Sequence, residues 1–345
     1  MGHPQSVILL HCTLGDRVKE RSVNMQRKDV IVVGGGPCGL SAAIELQKKG
    51  LDVLIIEKGN IVNSIYNYPT HQTFFSSSLK LSIGDIPFIT AKDKPKRNDA
   101  LVYYREVVKM TNLTVNSFEF VTGVQKTPDG FRVETDKGTY QAEYVVVATG
   151  YYDNPNMLGI EGEDLPNVFH YFKEAHPYFQ KNVVVVGGKN SSVDAALELE
   201  RAGANVTVVY RGAEYSSSVK PWILPGFDSL VKNGTIAMHF ESNIKEITNS
   251  TVTIEKNDEV IIIPHDYVFA MTGYHPDYSF LEKMGIEIEE ESGCPSFNVK
   301  TMESNVKGLY IAGVIAAGKN ANEIFIENGK FHGAAIAEAI GAEKE

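Results

Sequence analysis

The chain has 345 residues, enough for two or three domains and a sizeable core. With 43% hydrophobic and 22% charged residues it reads as a globular chain, which excludes a disordered or fibrous one. A net charge of −10 argues against a phosphate-backbone binder, which needs a basic surface, so no nucleic-acid partner is expected.

Residues 1–24 carry no periodic signal, and the apolar run at 6–10 is too short for a secretory core. They read as a disordered or non-native extension with Met25 as an alternative start, a short added edge strand being the competing idea. A strand-like run at 30–33 then enters Gly34-Gly35-Gly36-Pro37-Cys38-Gly39, after which Leu40, Ala43, Ile44 and Leu46 keep helical spacing to Gly50. With the next strand at 53–57 this predicts a β-α-β unit. Residues 60–100 show no long periodic segment and read as elaborated loops. Short strands and turns fill 112–147 and close at Ala148-Thr149-Gly150. A second β-α-β unit starts at 182–186, turns at Gly187-Gly188-Lys189-Asn190-Ser191-Ser192 and returns at 206–210. The strand at 267–270 leads to Met271-Thr272-Gly273, an echo of Thr149-Gly150. A last strand precedes Ile311-Ala312-Gly313, and a helix is expected over about 329–340. No apolar run reaches the roughly 18 residues of a membrane span, so a soluble protein with no membrane partner is expected.

Gly34-x-Gly36-x-x-Gly39 follows a strand and opens a helix, with Glu57 about 20 residues on, which is the full dinucleotide fingerprint. Gly34 allows the tight turn, Gly36 lets the backbone approach a pyrophosphate, and Gly39 lets helix and sheet pack closely. Glu57 is expected to accept hydrogen bonds from the ribose. The second turn is degenerate, with Lys189 for the middle glycine and Ser192 for the last. There Arg211 stands where the first unit has Glu57, so a 2′-phosphate is expected, with help from Lys220 or Ser216. One acidic and one basic ribose partner on one chain point to a resident FAD and a visiting NADPH that passes hydride to it.

The cysteines are Cys12, Cys38 and Cys294, and they fit neither a zinc set nor a disulfide framework. A reducing cytoplasm and no metal follow. Cys38 sits at the first turn of the pyrophosphate helix, where a thiol pKa is lowered and the thiolate can attack a disulfide. The alternative is a small packing residue beside the glycines. Cys294 reads as structural. His71, His170, His176 and His332 are dispersed and read as satisfied or exposed.

Gly34–Gly39, Ala148-Thr149-Gly150, the second turn and Ile311-Ala312-Gly313 occur in the order of the low-molecular-weight thioredoxin reductases, over residues 27–342. The resemblance implies an α/β fold of two Rossmann-like three-layer domains, with FAD on 25–150 plus 277–345 and NADPH on 151–276. Two departures stand out: there is no C-x-x-C, and the expected Gly-Asp pair, whose Asp meets the ribityl chain in that family, reads Gly313-Val314. The strings 34–40, 68–76 and 320–329 resemble the bacillithiol disulfide reductases, FAD and NADPH enzymes in which the cysteine at Cys38 is the proposed redox thiol. On this resemblance FAD contacts are expected at Gly34, Gly36, Pro37, Cys38, Gly39, Glu57, Lys58, Val124, Thr149, Gly150 and Gly313. NADPH contacts are expected at Gly187, Gly188, Lys189, Asn190, Ser191, Ser192, Arg211 and Lys220. The expected enzyme reduces a small-molecule disulfide, bacillithiol disulfide, as a cytoplasmic homo-oligomer, a dimer or tetramer. A ferredoxin–NADP reductase, a flavin monooxygenase (for which Tyr151-Tyr152-Asp153-Asn154-Pro155 speaks) and a non-enzymatic redox sensor are the alternatives.

Overall fold

The computed structural model describes residues 26–320 and 323–344. The N-terminal extension with Cys12, and Ala321-Asn322 of the 320–329 string, lie outside the described residues.

The first sheet gathers β1 (Gln26–Val33), β2 (Val53–Glu57), β3 (Thr114–Ser117), β4 (Val121–Thr127), β5 (Gly130–Thr135), β6 (Thr139–Val147) and β15 (Leu309–Ile311). Its parallel part runs β3-β2-β1-β6-β15. Strand β6 divides one of its edges, pairing residues 139–142 antiparallel with β5 and residues 145–147 parallel with β15. The late strand therefore completes the sheet of the first unit. The second sheet holds β7 (Val168–Phe169), β8 (Asn182–Val186), β9 (Asn205–Val209), β10 (Ile236–His239) and β14 (Tyr267–Ala270). Its order, β10-β9-β8-β14-β7, is all parallel and repeats the first plan. A separate antiparallel meander holds β11 (Ser242–Ile247), β12 (Thr251–Lys256) and β13 (Glu259–Pro264). The central strands are unbroken runs of Val and Ile, buried on both faces as strands between helical layers must be.

Two helices depart from the sequence reading. Helix Arg97–Met110 spans the end of the expected loop region. Ala100, Tyr103, Tyr104 and Val107 form its buried stripe at i, i+3, i+4 and i+7, and Asp99 accepts a hydrogen bond from the Lys96 amide at 2.8 Å to cap its start. The lysines and arginines around that stripe masked it. The C-terminal helix runs His332–Lys344, later than expected, because Asn328 accepts from the Phe325 and Gly329 amides and ends a separate short turn there.

Glycines set the separation of helix and sheet. A Cβ at Gly39 would lie 2.0 Å from the Gly34 carbonyl oxygen, whereas one at Gly36 would meet nothing within 4 Å. Gly39→Ala should therefore cost about 1–3 kcal/mol in urea unfolding, as overpacking does. Gly36→Ala should stay within about 0.5 kcal/mol of the parent; equal losses at both positions would refute the close-packing assignment.

Candidate active site

The first Gly-rich turn is held from below by Glu57, which is only 6% exposed. Its carboxylate accepts hydrogen bonds from the Gly35 amide at 2.7 Å and the Gly59 amide at 2.8 Å. Burial raises its pKa above the usual carboxylate value, an effect those two bonds offset only in part. Sequence reasoning assigned Glu57 to the ribose; the structure adds that it locks the turn, one oxygen on each side. Helix Pro37–Lys48 begins at Gly36 with no side-chain cap, and helix Asn190–Arg201 begins at Lys189 in the same way. Each leaves first-turn N–H groups unclaimed by side chains, the arrangement that binds phosphate.

In the second turn Gly187 has φ +139°, and a Cβ there would lie 2.6 Å from the Met271 carbonyl oxygen. Ser192 replaces the third glycine at 1% exposure, its hydroxyl donating to the Lys189 carbonyl oxygen at 2.8 Å. A small polar residue thus fills the close approach by satisfying itself. Asn190 ties the turn to the 216–220 loop by donating to the Ser218 carbonyl oxygen and accepting from the Lys220 amide.

One cavity of about 1400 Å³ is bounded by both turns. That exceeds the roughly 300–1,000 Å³ of an ordinary small-molecule site and suits more than one ligand. Gly34, Gly36, Pro37, Cys38, Glu57, Lys58, Thr149, Gly150 and Gly313 line it from the first sheet's side. Gly187, Gly188, Lys189, Asn190, Ser191, Arg211 and Lys220 line it from the other. Gly39 and Ser192 sit behind it as packing residues. Val124 is a correction: it is buried in β4 and does not line the cavity, whereas Val121, on the other side of a bulge between Val121 and Gly123, does. Lys58 pairs with Asp153 at 3.0 Å, so it ties the first unit to the segment after Gly150. Arg211, Lys189 and Lys220 make no salt bridge to a described residue, and Arg211 is exposed at the cavity wall.

Sequence reasoning missed the aromatic joint between the halves. Tyr151 and Tyr152 follow Thr149-Gly150, and Tyr274 follows Thr272-Gly273. Tyr152 contacts Tyr68, Tyr171 and Tyr274 with ring centroids 5.1, 5.2 and 4.7 Å apart. The two crossing segments pair antiparallel at Pro155 and Tyr274, with the Asn156 amide donating to the Gly273 carbonyl oxygen and the His275 amide to that of Asn154. Further along the wall, Phe75 and Trp222 meet across the halves with centroids 6.5 Å apart. The Lys94 ammonium lies 4.4 Å from the Trp222 ring centroid and that of Lys220 5.3 Å from the Phe75 centroid, so each half caps the other's aromatic ring. The doubled Tyr after a Thr-Gly turn was the available signal.

Cys38 lies half-buried on the cavity wall, and of the two described cysteines only it lines the cavity. Its environment reverses the expected pKa shift. Burial desolvates the thiol and pushes it up to about 12. Among the described residues no group of three or more His, Cys, Asp or Glu side chains is placed to hold a metal, and no helix is long and apolar enough to cross a membrane.

Residues 31–313 match the family described as pyridine nucleotide-disulphide oxidoreductase. The chain belongs to that family. Within it, bacilliredoxin reductase Bdr of Bacillus subtilis (strain 168) is 64% identical over 318 residues, covering 92% of this chain and 98% of that protein. The solved bacillithiol disulfide reductase Bdr of Staphylococcus aureus superposes with a TM-score of 0.91 at 61% identity, over 93% of this chain and 100% of that one. The chain is thus a member of the bacillithiol disulfide reductase family, as the sequence resemblance implied. A thioredoxin reductase of T. acidophilum, at TM-score 0.74 and 21% identity, shares the fold. The ferredoxin–NADP reductase of Ignicoccus hospitalis stands further off at 27% identity over 84% of the chain. This pyridine nucleotide-disulphide oxidoreductase is an enzyme that works with a flavin and a pyridine nucleotide, and the two uncapped Gly-rich turns fit those groups.

With the thiol at about 12, on the order of one Cys38 in ten thousand is ionised at pH 8 in the flavin-free chain. Its alkylation rate should climb about tenfold per pH unit from 8 to 10, as a fixed thiol nucleophilicity requires. A plateau already reached at pH 7 would contradict the desolvated site.

Proposed function

We propose that this enzyme is an FAD-dependent NADPH:disulfide reductase whose substrate is bacillithiol disulfide. The observation that carries the reading is the pairing of two uncapped Gly-rich helix N-termini in one cavity, the first backed by Glu57 and the second flanked by unpaired Arg211. FAD would be held by the turn 34–39, Glu57, Thr149, Gly150 and Gly313, on the domain of residues 25–150 plus 277–345. NADPH would be held by residues 187–192, with Arg211 and Lys220 on its 2′-phosphate, on the domain 151–276. When bound, the flavin supplies a two-electron relay between nicotinamide and disulfide. The balance is NADPH + H⁺ + RSSR → NADP⁺ + 2 RSH.

This chain's own residues do the rest. Glu57 keeps the first turn closed, so that Gly36 presents backbone rather than side chain. Lys189 brings a cation where a middle glycine would bring none. Cys38 is the thiol on the cavity wall, and we assign it the attack on the disulfide: its proton passes to water, the sulfur forms a mixed disulfide as one RS⁻ leaves and is protonated, and the two electrons of NADPH would then release the second RSH and restore Cys38. The bacillithiol reading is supported by the names of the solved relatives from Staphylococcus aureus and Bacillus cereus, at 61% and 62% identity. A reducing cytoplasm suits a chain with free Cys38 and Cys294. Self-association is supported by Val260 and Ile262, both exposed on the edge strand β13.

Anaerobic NADPH should bleach the flavin band of the purified yellow protein, and a colourless protein that cannot be reconstituted would end the proposal. Arg211→Gln should lower kcat/KM for NADPH on the order of tenfold to a hundredfold and leave NADH nearly unchanged, the loss of one charge-assisted contact. Cys38→Ala should lose turnover with bacillithiol disulfide but keep NADPH-driven bleaching; equal turnover would return Cys38 to packing.

A further inference from the structure

His332 is a half-buried titratable side chain that the reading above leaves without a task. It opens the C-terminal helix and its Nδ1 accepts a hydrogen bond from the Gly313 amide at 3.1 Å. Gly313 lies in the cavity wall with φ +81°, a conformation that favours glycine. Its N–H therefore points to the imidazole and is not free for a ligand. A Cβ at Gly313 would lie 3.0 Å from the Cys38 Cβ and 3.1 Å from Sγ. Gly329 closes the other side, where a Cβ would lie 3.0 Å from the same sulfur and 3.3 Å from the Gly313 Cα. Two chain segments thus surrender their side chains around one sulfur, and the contact at Gly329 is made by Sγ itself. An alanine at position 38 would leave that socket partly empty.

The residues flanking His332 are anchored to the helix that bears Cys38. The Ser41 hydroxyl donates to the Lys330 carbonyl oxygen at 2.8 Å, and a Cβ at Gly333 would lie 2.5 Å from the Ala42 Cα. Ser41 and Ala42 follow Cys38 by three and four residues, so they share its face of the helix. The imidazole is consequently held at a fixed distance from the Cys38 backbone, and through it so is the Gly313 turn. We infer that His332 is a positioning residue: its neutral imidazole pins the Gly313 turn against the Cys38 sulfur and so fixes where the thiol stands on the cavity wall. Only a neutral ring can do this, because an imidazolium has no lone pair at Nδ1. Burial lowers the His332 pKa and keeps the ring in that form.

The inference rests on the proposed role of Cys38 in the reaction, and its test separates the two. Without the acceptor, the Gly313 N–H is a partly buried donor that must find water. Water beside Sγ removes the desolvation that keeps the thiol protonated. In the flavin-loaded protein at pH 8, His332→Ala should therefore raise the iodoacetamide alkylation rate of Cys38, followed peptide by peptide, about tenfold or more. Cys294 should be unchanged. His332→Asn, whose amide oxygen can stand where Nδ1 stands, should return the rate to within about threefold of the parent. Disulfide turnover should fall in the Ala variant and recover in the Asn variant, while NADPH-driven flavin bleaching stays the same in both. Parent-like alkylation of the Ala variant, an Asn variant as fast as Ala, or Cys294 accelerating in parallel would each overturn the positioning role. Full disulfide turnover by Cys38→Ala would instead sink the thiol chemistry while leaving the alkylation comparison standing.

Discussion

The carboxylate of Glu57 binds the Gly35 amide from one side and the Gly59 amide from the other, and the geometry of the first nucleotide turn follows from those two bonds. They draw the end of β2 against the turn that follows β1, so that the 34–39 segment can close without any side chain of its own. Gly39 then meets the Gly34 carbonyl oxygen closely enough to exclude a Cβ, and the helix that begins at Gly36 aims its free N–H groups into the cavity. Burying an acid is costly unless its oxygens are bound, and here the binding partners are the very backbone that must be held. One residue serves as both brace and candidate ligand.

The second turn reaches a similar shape by other means, and the difference explains what was readable in the sequence. Fingerprint glycines are legible because a positive φ or a forbidden Cβ admits little else; Gly34 and Gly187 are of that kind. Ser192 and Lys189 broke the pattern without breaking the turn, since the serine satisfies its own hydroxyl on the backbone. The strands were legible as apolar runs, and the chain order of the two units gave away the repeat. Helix Arg97–Met110 was lost because five buried positions, one of them an arginine, sit among nine exposed or half-exposed ones, with charges on either side. Contacts that join distant segments left little trace: the tyrosine joint, the Phe75–Trp222 meeting and the Gly313–His332 bond each depend on tertiary neighbours 18 or more residues apart. The pKa of Cys38 failed for the same reason. Local sequence places it at a helix start, but the solvent it loses is taken by Gly313, Gly329 and the residues around them.

The cavity wall carries charge of both signs. An acidic chain presents Lys94, Lys189, Arg211 and Lys220 along one cavity, where two of the four rest on aromatic faces rather than on carboxylates. Cation–π contacts at exposed sites contribute roughly 0.5–1 kcal/mol each, so these ammonium groups are held lightly and remain attractive to a phosphate or carboxylate.

The two passages of the chain between the sheets do not behave as separate tethers. Hydrogen bonds from the Asn156 and His275 amides join them into a short two-stranded ribbon. A ribbon of this kind twists easily about its long axis but resists shear and splaying, because either would break its cross-links. The two passages are therefore one mechanical element, and a displacement of either would carry the other and the ring contacts of Tyr152 with it.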